Sequence, residues 1–313
     1  MKQQDKIFIA GHRGLAGSAI SESLKKKGYQ NLVLRTHGEL DLEKSIEVDD
    51  FFKSEKPDIT ILAAAKVGGI YANNTYPADF IFNNLQIQNN VIHAAHTYGV
   101  KKLLFLGSSC IYPKHAQQPM GEGCLLSGEL ESTNRAYAIA KIAGLEMCRA
   151  YRVQYGCNFI SAMPTNLYGP GDNFNLENSH VLPALIHKCH LAKVAGDKSM
   201  TVWGSGKPFR EFLYSSDLGD ACVFLLENYN EVGIVNIGTG RDISIGELAQ
   251  TIAEVVGFEG NLVFDSSKPD GTFKKLLDVN LINGLGWKYK VAFKDGIKKA
   301  YDWFLENHDH IRT

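Results

Sequence analysis

Tyr137 and Lys141 stand four residues apart in the run YAIAK. On a helix, that spacing puts both side chains on one face. A nearby ammonium stabilises a phenolate, so the lysine is expected to lower the tyrosine pKa toward a useful range. The tyrosine can then pass a proton to or from a carbonyl or hydroxyl. Two polar residues on an amphipathic helix give the same spacing. Position is what favours chemistry, because the pair follows Gly107-Ser108-Ser109 and lies downstream of a glycine-rich turn.

That turn is Gly11-His12-Arg13-Gly14-Leu15-Ala16-Gly17, a GxxGxxG pattern between the apolar run KIFIA and an amphipathic segment. Glycine permits a tight turn and a close approach of backbone to a pyrophosphate, which meets the unpaired N–H groups of the following helix. The spacing alone also fits a plain strand-to-helix turn. Its place after the first strand points to dinucleotide binding. NAD binders of this architecture usually end the second strand with an acid for the ribose hydroxyls. Here the strand ends Leu34-Arg35-Thr36. Arg35 and Arg13 can flank a 2′-phosphate, which favours NADP(H), although each also fits a solvated surface charge. Asp41 can reach an adenine amino group or cap the next helix.

The elements that must position these residues alternate. Strands are expected at residues 6–10, 32–35, 59–62, 102–106 and 158–163, and helices at 15–27, 45–55, 77–98 and 136–155. Pro77 suits a first helical turn, and Gly99 suits a helix end. Such β-α-β alternation implies an α/β fold with a doubly wound parallel sheet of Rossmann type. Beyond Pro164 the pattern loosens, with glycine, proline and asparagine crowding residues 164–178. Helices are expected at 183–193, 217–227, 244–257 and 293–308, with short strands near 201–202, 211–214, 234–237 and 262–264. The expected organisation is a dinucleotide-binding domain over 1–165 and a smaller α/β substrate lobe over 166–313, some of which returns to the main sheet.

With 313 residues, 44% of them apolar, the chain can bury a large core without metal or disulfides. Its 33 basic and 34 acidic residues leave no basic excess, which argues against a nucleic-acid partner. No apolar run reaches the ~18 residues of a membrane span, and the N-terminus lacks the longer apolar core of a signal peptide. The six cysteines form no CxxC pair, so reduced thiols in the cytoplasm are expected. His187-Lys188-Cys189-His190 looks metal-like, but neighbours on a helix point to different faces, and His93 with His96 lacks a third ligand. No metal is expected.

Several motifs extend this reading along nearly the whole chain. They are GHRGLAG at 11–17, LAAAKVGG at 62–69, SSCIYP at 108–113, YAIAK at 137–141 and PTNLYGPGDNF at 164–174. SHVLPALIHK at 179–188, VWGSGKPFREF at 202–212 and KPDGTFKKLLD at 268–278 complete the set. Together they resemble the extended short-chain dehydrogenase/reductases that act on nucleotide sugars.

The resemblance implies a two-part reaction on GDP-4-keto-6-deoxy-D-mannose. A C4 ketone acidifies the hydrogens on C3 and C5, so an acid/base pair can invert both centres through enolates. NADPH then reduces C4, giving GDP-L-fucose. Tyr137, Lys141 and Ser108 are implied for the reduction, with the Ser108 hydroxyl bonding the C4 oxygen. Cys110 and His180 are implied as the epimerase base and acid. A thiol serves as base when a positive partner favours its thiolate, and an imidazole titrates near neutrality. Residue type alone leaves a buried free cysteine and a helix-capping histidine open, and places neither beside the other.

Leu106, Gly107, Ser108, Ser109 and Lys141 are implied along the cofactor, with Pro164, Thr165, Asn166, Leu167 and His180 toward its nicotinamide end. Lys188 and Arg210 are implied on the diphosphate, Trp203 as a wall of the substrate pocket, and Asp270 on ribose or guanine. Taken alone, Trp203 also fits a core position. Nucleotide-sugar dehydratases carry an Asp-Glu pair where this chain has Ser109-Cys110-Ile111, so elimination of water is disfavoured. Relatives commonly pair through their two long helices, which implies a homodimer.

Overall fold

Short runs of consecutive apolar residues form strands buried on both faces. Ile7–Ala10 (β1), Ile59–Leu62 (β3) and Lys102–Leu106 (β4) are buried at every position in the computed structural model. Leu32–Val33 (β2), Phe159–Pro164 (β5) and Ile234–Ile237 (β9) complete a parallel sheet of order β2-β1-β3-β4-β5-β9. The structure describes residues 1–176, 179–268 and 270–308. Asn178, which ends the glycine-, proline- and asparagine-rich stretch, and Pro269 of the KPDG motif lie outside the described residues.

The second strand is shorter than expected. Pairing with β1 stops at Val33, and Glu39 folds the chain back by accepting the Thr36 backbone N–H at 2.7 Å. Helices Leu15–Lys26 (α1) and Ser215–Asn228 (α7) pack on each other. Ser45–Glu55 (α2), Pro77–Thr97 (α4) and Arg135–Tyr155 (α5) pack together as another layer. A one-turn helix, Ile70–Thr75 (α3), lies in what reads from sequence as loop.

A second core gathers Tyr168, Phe174, Leu182, Ile252 and Phe304. Around it stand Asn166–Tyr168 (β6), Phe209–Tyr214 (β8), Asp242–Ser244 (β10) and Lys274–Lys275 (β12), with β8 pairing to the other three. Ser199–Trp203 (β7) pairs in parallel with Asn261–Asp265 (β11). Helices Val181–Ala195 (α6), Ile245–Val256 (α8) and Phe293–Asn307 (α9) cover this core.

One buried carboxylate ties the lobes together. Glu211 on β8 accepts backbone N–H bonds from Thr239, Gly240 and Leu277 at 2.6, 2.7 and 2.9 Å. A buried carboxylate is costly unless several donors meet it, so this knot fixes β12 and the turn after β9 relative to β8. From β1 the chain runs to β2 on one side and then crosses back to β3 on the other side of β1. That reversal is the switch point where open α/β sheets bind ligands beyond the carboxyl ends of their strands.

Candidate active site

A cavity of about 1070 Å³ lies between those strand ends and the second lobe. All the site positions expected from sequence line it: residues 11–17, Arg35, residues 106–110, Tyr137, Lys141, residues 164–167, His180, Lys188, Trp203, Arg210 and Asp270.

The glycine turn fits a dinucleotide. α1 starts after Gly14 with no side-chain cap and no acidic residue in its first turn, so no side chain competes with an anion there. Gly11 has φ +86°, and a Cβ on it would stand 2.7 Å from the Ala64 backbone. A Cβ on Gly17 would collide with the Gly11 carbonyl. Gly17→Ala is therefore expected to weaken dinucleotide binding at least tenfold and to destabilise the fold by about 1–3 kcal/mol. Cofactor titration and urea unfolding read the two effects, and a variant matching the parent in both would show that the turn tolerates a side chain.

Arg35 reaches this end of the cavity already paired: Nη2 lies 2.6 Å from Glu55 Oε1, and Nη1 donates to the Leu34 carbonyl at 3.0 Å. His12 is held below its ordinary pKa, by burial first and then by Arg13. Its Nδ1 has no hydrogen-bond partner among the described residues. Asp41 accepts the Glu43 N–H at 3.0 Å, so part of its carboxylate serves the local turn.

Ser108 ends the loop after β4, and its Oγ accepts the Cys110 N–H at 3.2 Å. The same side chain hydrogen-bonds Tyr137. Lys141 is only 3% exposed and donates to the Leu106 carbonyl at 2.8 Å, with Nζ 5.9 Å from the Tyr137 ring centroid. The pair shares a helix face, but the effect on the tyrosine runs opposite to the expected one. Burial, and then the charge of Cys110, push Tyr137 above its ordinary pKa, with the Ser108 bond pulling the other way. Burial pushes Lys141 down to about 7, so its ammonium is no strong counter-charge.

A stability effect follows from Lys141. An unfolded lysine titrates near ~10.4. Between about 7 and that value, the unfolded chain binds the proton that the folded chain has lost. Stability should therefore rise with pH across this window, and the burial penalty should be complete below it. Lys141→Met is expected to flatten the rise in cofactor-free protein, as read by urea unfolding at pH 6.5, 8 and 9.5. Parallel curves for parent and variant would refute it.

The epimerase candidates are gathered by tertiary structure. Cys110 Sγ accepts from Lys275 Nζ at 3.3 Å and from Asn134 Nδ2 at 3.3 Å. His180 keeps surface that opens into the cavity. The surrounding protein, and then the Lys275 charge, hold it below its ordinary pKa. Lys275 acts on both groups, and sequence reading missed it. It lies on β12, a two-residue strand with no periodic signal, whose register sets it beside Arg210.

In the second lobe, Lys188 Nζ stands 4.2 Å from the Trp203 ring centroid and Lys268 Nζ 5.3 Å. Trp203 is 49% exposed, which makes it a cavity wall rather than core. Asp270 accepts from Ser205 N and Oγ, both at 2.7 Å. Asp172 also lines the cavity, with one carboxyl oxygen unpartnered among the described residues, and burial pushes it up to about 7. Among the described residues, no three His, Cys, Asp or Glu side chains are grouped to hold a metal. No described helix is long and apolar enough to cross a membrane.

Residues 7–238 match the model of the NAD dependent epimerase/dehydratase family. The chain belongs to this family, among its GDP-L-fucose synthases. It is 61% identical over 302 residues to GDP-L-fucose synthase 1 of Arabidopsis thaliana, covering 96% of this chain and 94% of the relative. It is 55% identical over 318 residues to GDP-L-fucose synthase of Escherichia coli (strain K12), covering 99% of both. A solved GDP-L-fucose synthetase from Naegleria fowleri bound to NADP superposes with TM-score 0.92 at 34% identity, covering 100% of this chain and 98% of that one. A nicotinamide dinucleotide is thus the cofactor class of this family member, and its fold is the Rossmann type of its neighbours.

Proposed function

We propose that this family member converts GDP-4-keto-6-deoxy-D-mannose to GDP-L-fucose, inverting C3 and C5 and then reducing C4. The observation that carries the reading is the Cys110 thiol hydrogen-bonded to the Lys275 ammonium inside the cavity that also holds Ser108, Tyr137 and Lys141. A hydride donor alone needs no such base.

Lys188, Arg210 and Trp203 hold the GDP end, and Ser108 and Tyr137 hold the C4 oxygen. Cys110 takes a proton from the carbon next to the ketone, and the donors on C4 oxygen stabilise the enolate. His180, protonated from solvent, returns a proton to the opposite face, and the proton taken by Cys110 passes to solvent, so the step balances. When bound, NADPH supplies the hydride to C4, and Tyr137 gives its proton to the oxygen. Arg13 and Arg35 take the 2′-phosphate once Arg35 turns from Glu55, and Lys141 holds the nicotinamide ribose.

Two copies pair through α4 and α5, whose exposed Phe82 and Val153 leave apolar surface for a partner, and the enzyme works in the cytoplasm. Sedimentation at twice the chain mass tests the pairing. The reaction is tested by mixing protein, GDP-4-keto-6-deoxy-D-mannose and NADPH, following loss of reduced nicotinamide and identifying the sugar. GDP-L-fucose is the expected product. Tight NADPH binding without oxidation would sink the substrate assignment and leave the cofactor site standing.

A further inference from the structure

Asn134 occupies the position just before α5, where asparagine is favoured because its oxygen can accept a free N–H of the first turn. Its side chain makes no such bond. Instead Nδ2 donates to Cys110 Sγ at 3.3 Å, while Oδ1 is buried and unpartnered among the described residues. The residue also lines the cavity. Its orientation follows from charge: with the Lys275 ammonium donating to the same sulfur, the sulfur is the acceptor, so the amide presents its nitrogen. The segment carrying it is braced, since Glu131 accepts from Thr133 N at 3.4 Å and from Thr272 Oγ1 at 3.1 Å. A rigid, buried acceptor without a protein donor is built for a donor that arrives with the ligand.

We propose that Asn134 couples base to substrate: its amide N–H holds the Cys110 sulfur, and its carbonyl oxygen accepts a hydrogen bond from a ring hydroxyl of the sugar. The inference rests on the epimerase reading above. The 4-keto-6-deoxy ring keeps free hydroxyls at C2 and C3 only, both close to a reacting carbon. Gripping one of them beside the sulfur would fix the C–H bond against its base, which is where orientation yields rate. Asn134 is thus a positioning residue, set by the same amide plane that orients the thiol.

The test uses Asn134→Leu and Asn134→Asp in the full-length protein, with NADPH affinity within twofold of the parent as the check on folding. Iodoacetamide alkylation of Cys110, resolved by mass spectrometry without substrate, should slow about fivefold in Asn134→Leu and further in Asn134→Asp, where an anion replaces the donor. Deuterium exchange at C3 and C5 in D₂O should slow at least tenfold in Asn134→Leu, with a raised KM. For the parent enzyme, a 2-deoxy or 3-deoxy substrate should reproduce that KM rise, and the variant should then show no added penalty. Alkylation at the parent rate in both variants overturns the hold on sulfur. Exchange and KM within twofold of the parent overturn the grip on the hydroxyl. If the parent itself exchanges neither hydrogen, the epimerase reading fails, while alkylation still decides the Asn134–Cys110 contact.

Discussion

Cys110→Ser is expected to slow solvent exchange at C3 and C5 by about two to four orders of magnitude, the range by which a positioned acid or base accelerates proton transfer. The substitution preserves size and the capacity to accept from Lys275 and Asn134. What it removes is acidity, because an alcohol holds its proton far more tightly than a thiol, even beside an ammonium. The measurement is NMR of the nucleotide sugar in D₂O with oxidised cofactor present, so that reduction cannot drain the pool. Lys275→Met should give a smaller loss in the same assay, since it removes the charge but not the base. Exchange in Cys110→Ser at the parent rate would move the base elsewhere, with Asp172 the first candidate because burial pushes its pKa up to about 7 and the residue lines the cavity.

The second large effect belongs to Tyr137. Tyr137→Phe is expected to lower kcat for NADPH oxidation by about two to four orders of magnitude while leaving NADPH affinity nearly unchanged. Burial and the neighbouring Cys110 charge hold the phenol in its protonated form, which is the form needed to donate to a C4 alkoxide. Exchange at C3 and C5 should survive in this variant at a reduced rate, because Ser108 still contacts the ketone oxygen. The two variants therefore separate the halves of the reaction: one keeps reduction machinery without exchange, the other keeps exchange without reduction. If Tyr137→Phe abolished exchange as completely as Cys110→Ser, the phenol would be the main support of the enolate, and the division of labour drawn here would fail.

The charge arrangement bears on the order of the steps. A Cys110 thiolate raises the Tyr137 pKa, so the phenol keeps its proton while the base is ready. Once the sulfur has taken a proton from carbon, that constraint weakens. The Lys275 ammonium lies 3.3 Å from the sulfur, and after burial it is the second influence that disfavours a charged His180.

Much of this was legible in the chain itself. Buried parallel strands read as unbroken apolar runs, so IFIA and ITIL announced themselves, and the glycines of residues 11–17 marked the turn between β1 and α1. Tyr137 and Lys141 were found because helical periodicity is local, and four residues along one helix fix a shared face. The chain could not show what Lys141 does once buried. Its ammonium is turned to the Leu106 carbonyl at 2.8 Å and loses water, so a partner expected to acidify the tyrosine becomes a near-neutral amine. Solvation belongs to the packed state and has no sequence period.

Short elements were lost for a related reason. β12 has two residues and α3 has six, too few to repeat any pattern, and each exists through its neighbours. With β12 went Lys275, which lies 165 positions from Cys110 in the chain and 3.3 Å from it in space. Asn134 was passed over because it looks like an ordinary helix cap, and only its unfilled cap and its contact with sulfur show otherwise. The sequence by itself determined which residue types could do chemistry, and which elements would carry them, because both are written in local pattern. Tertiary structure decided their charge states and partners, because those depend on what is buried and on which distant residues the sheet register and the Glu211 knot bring together.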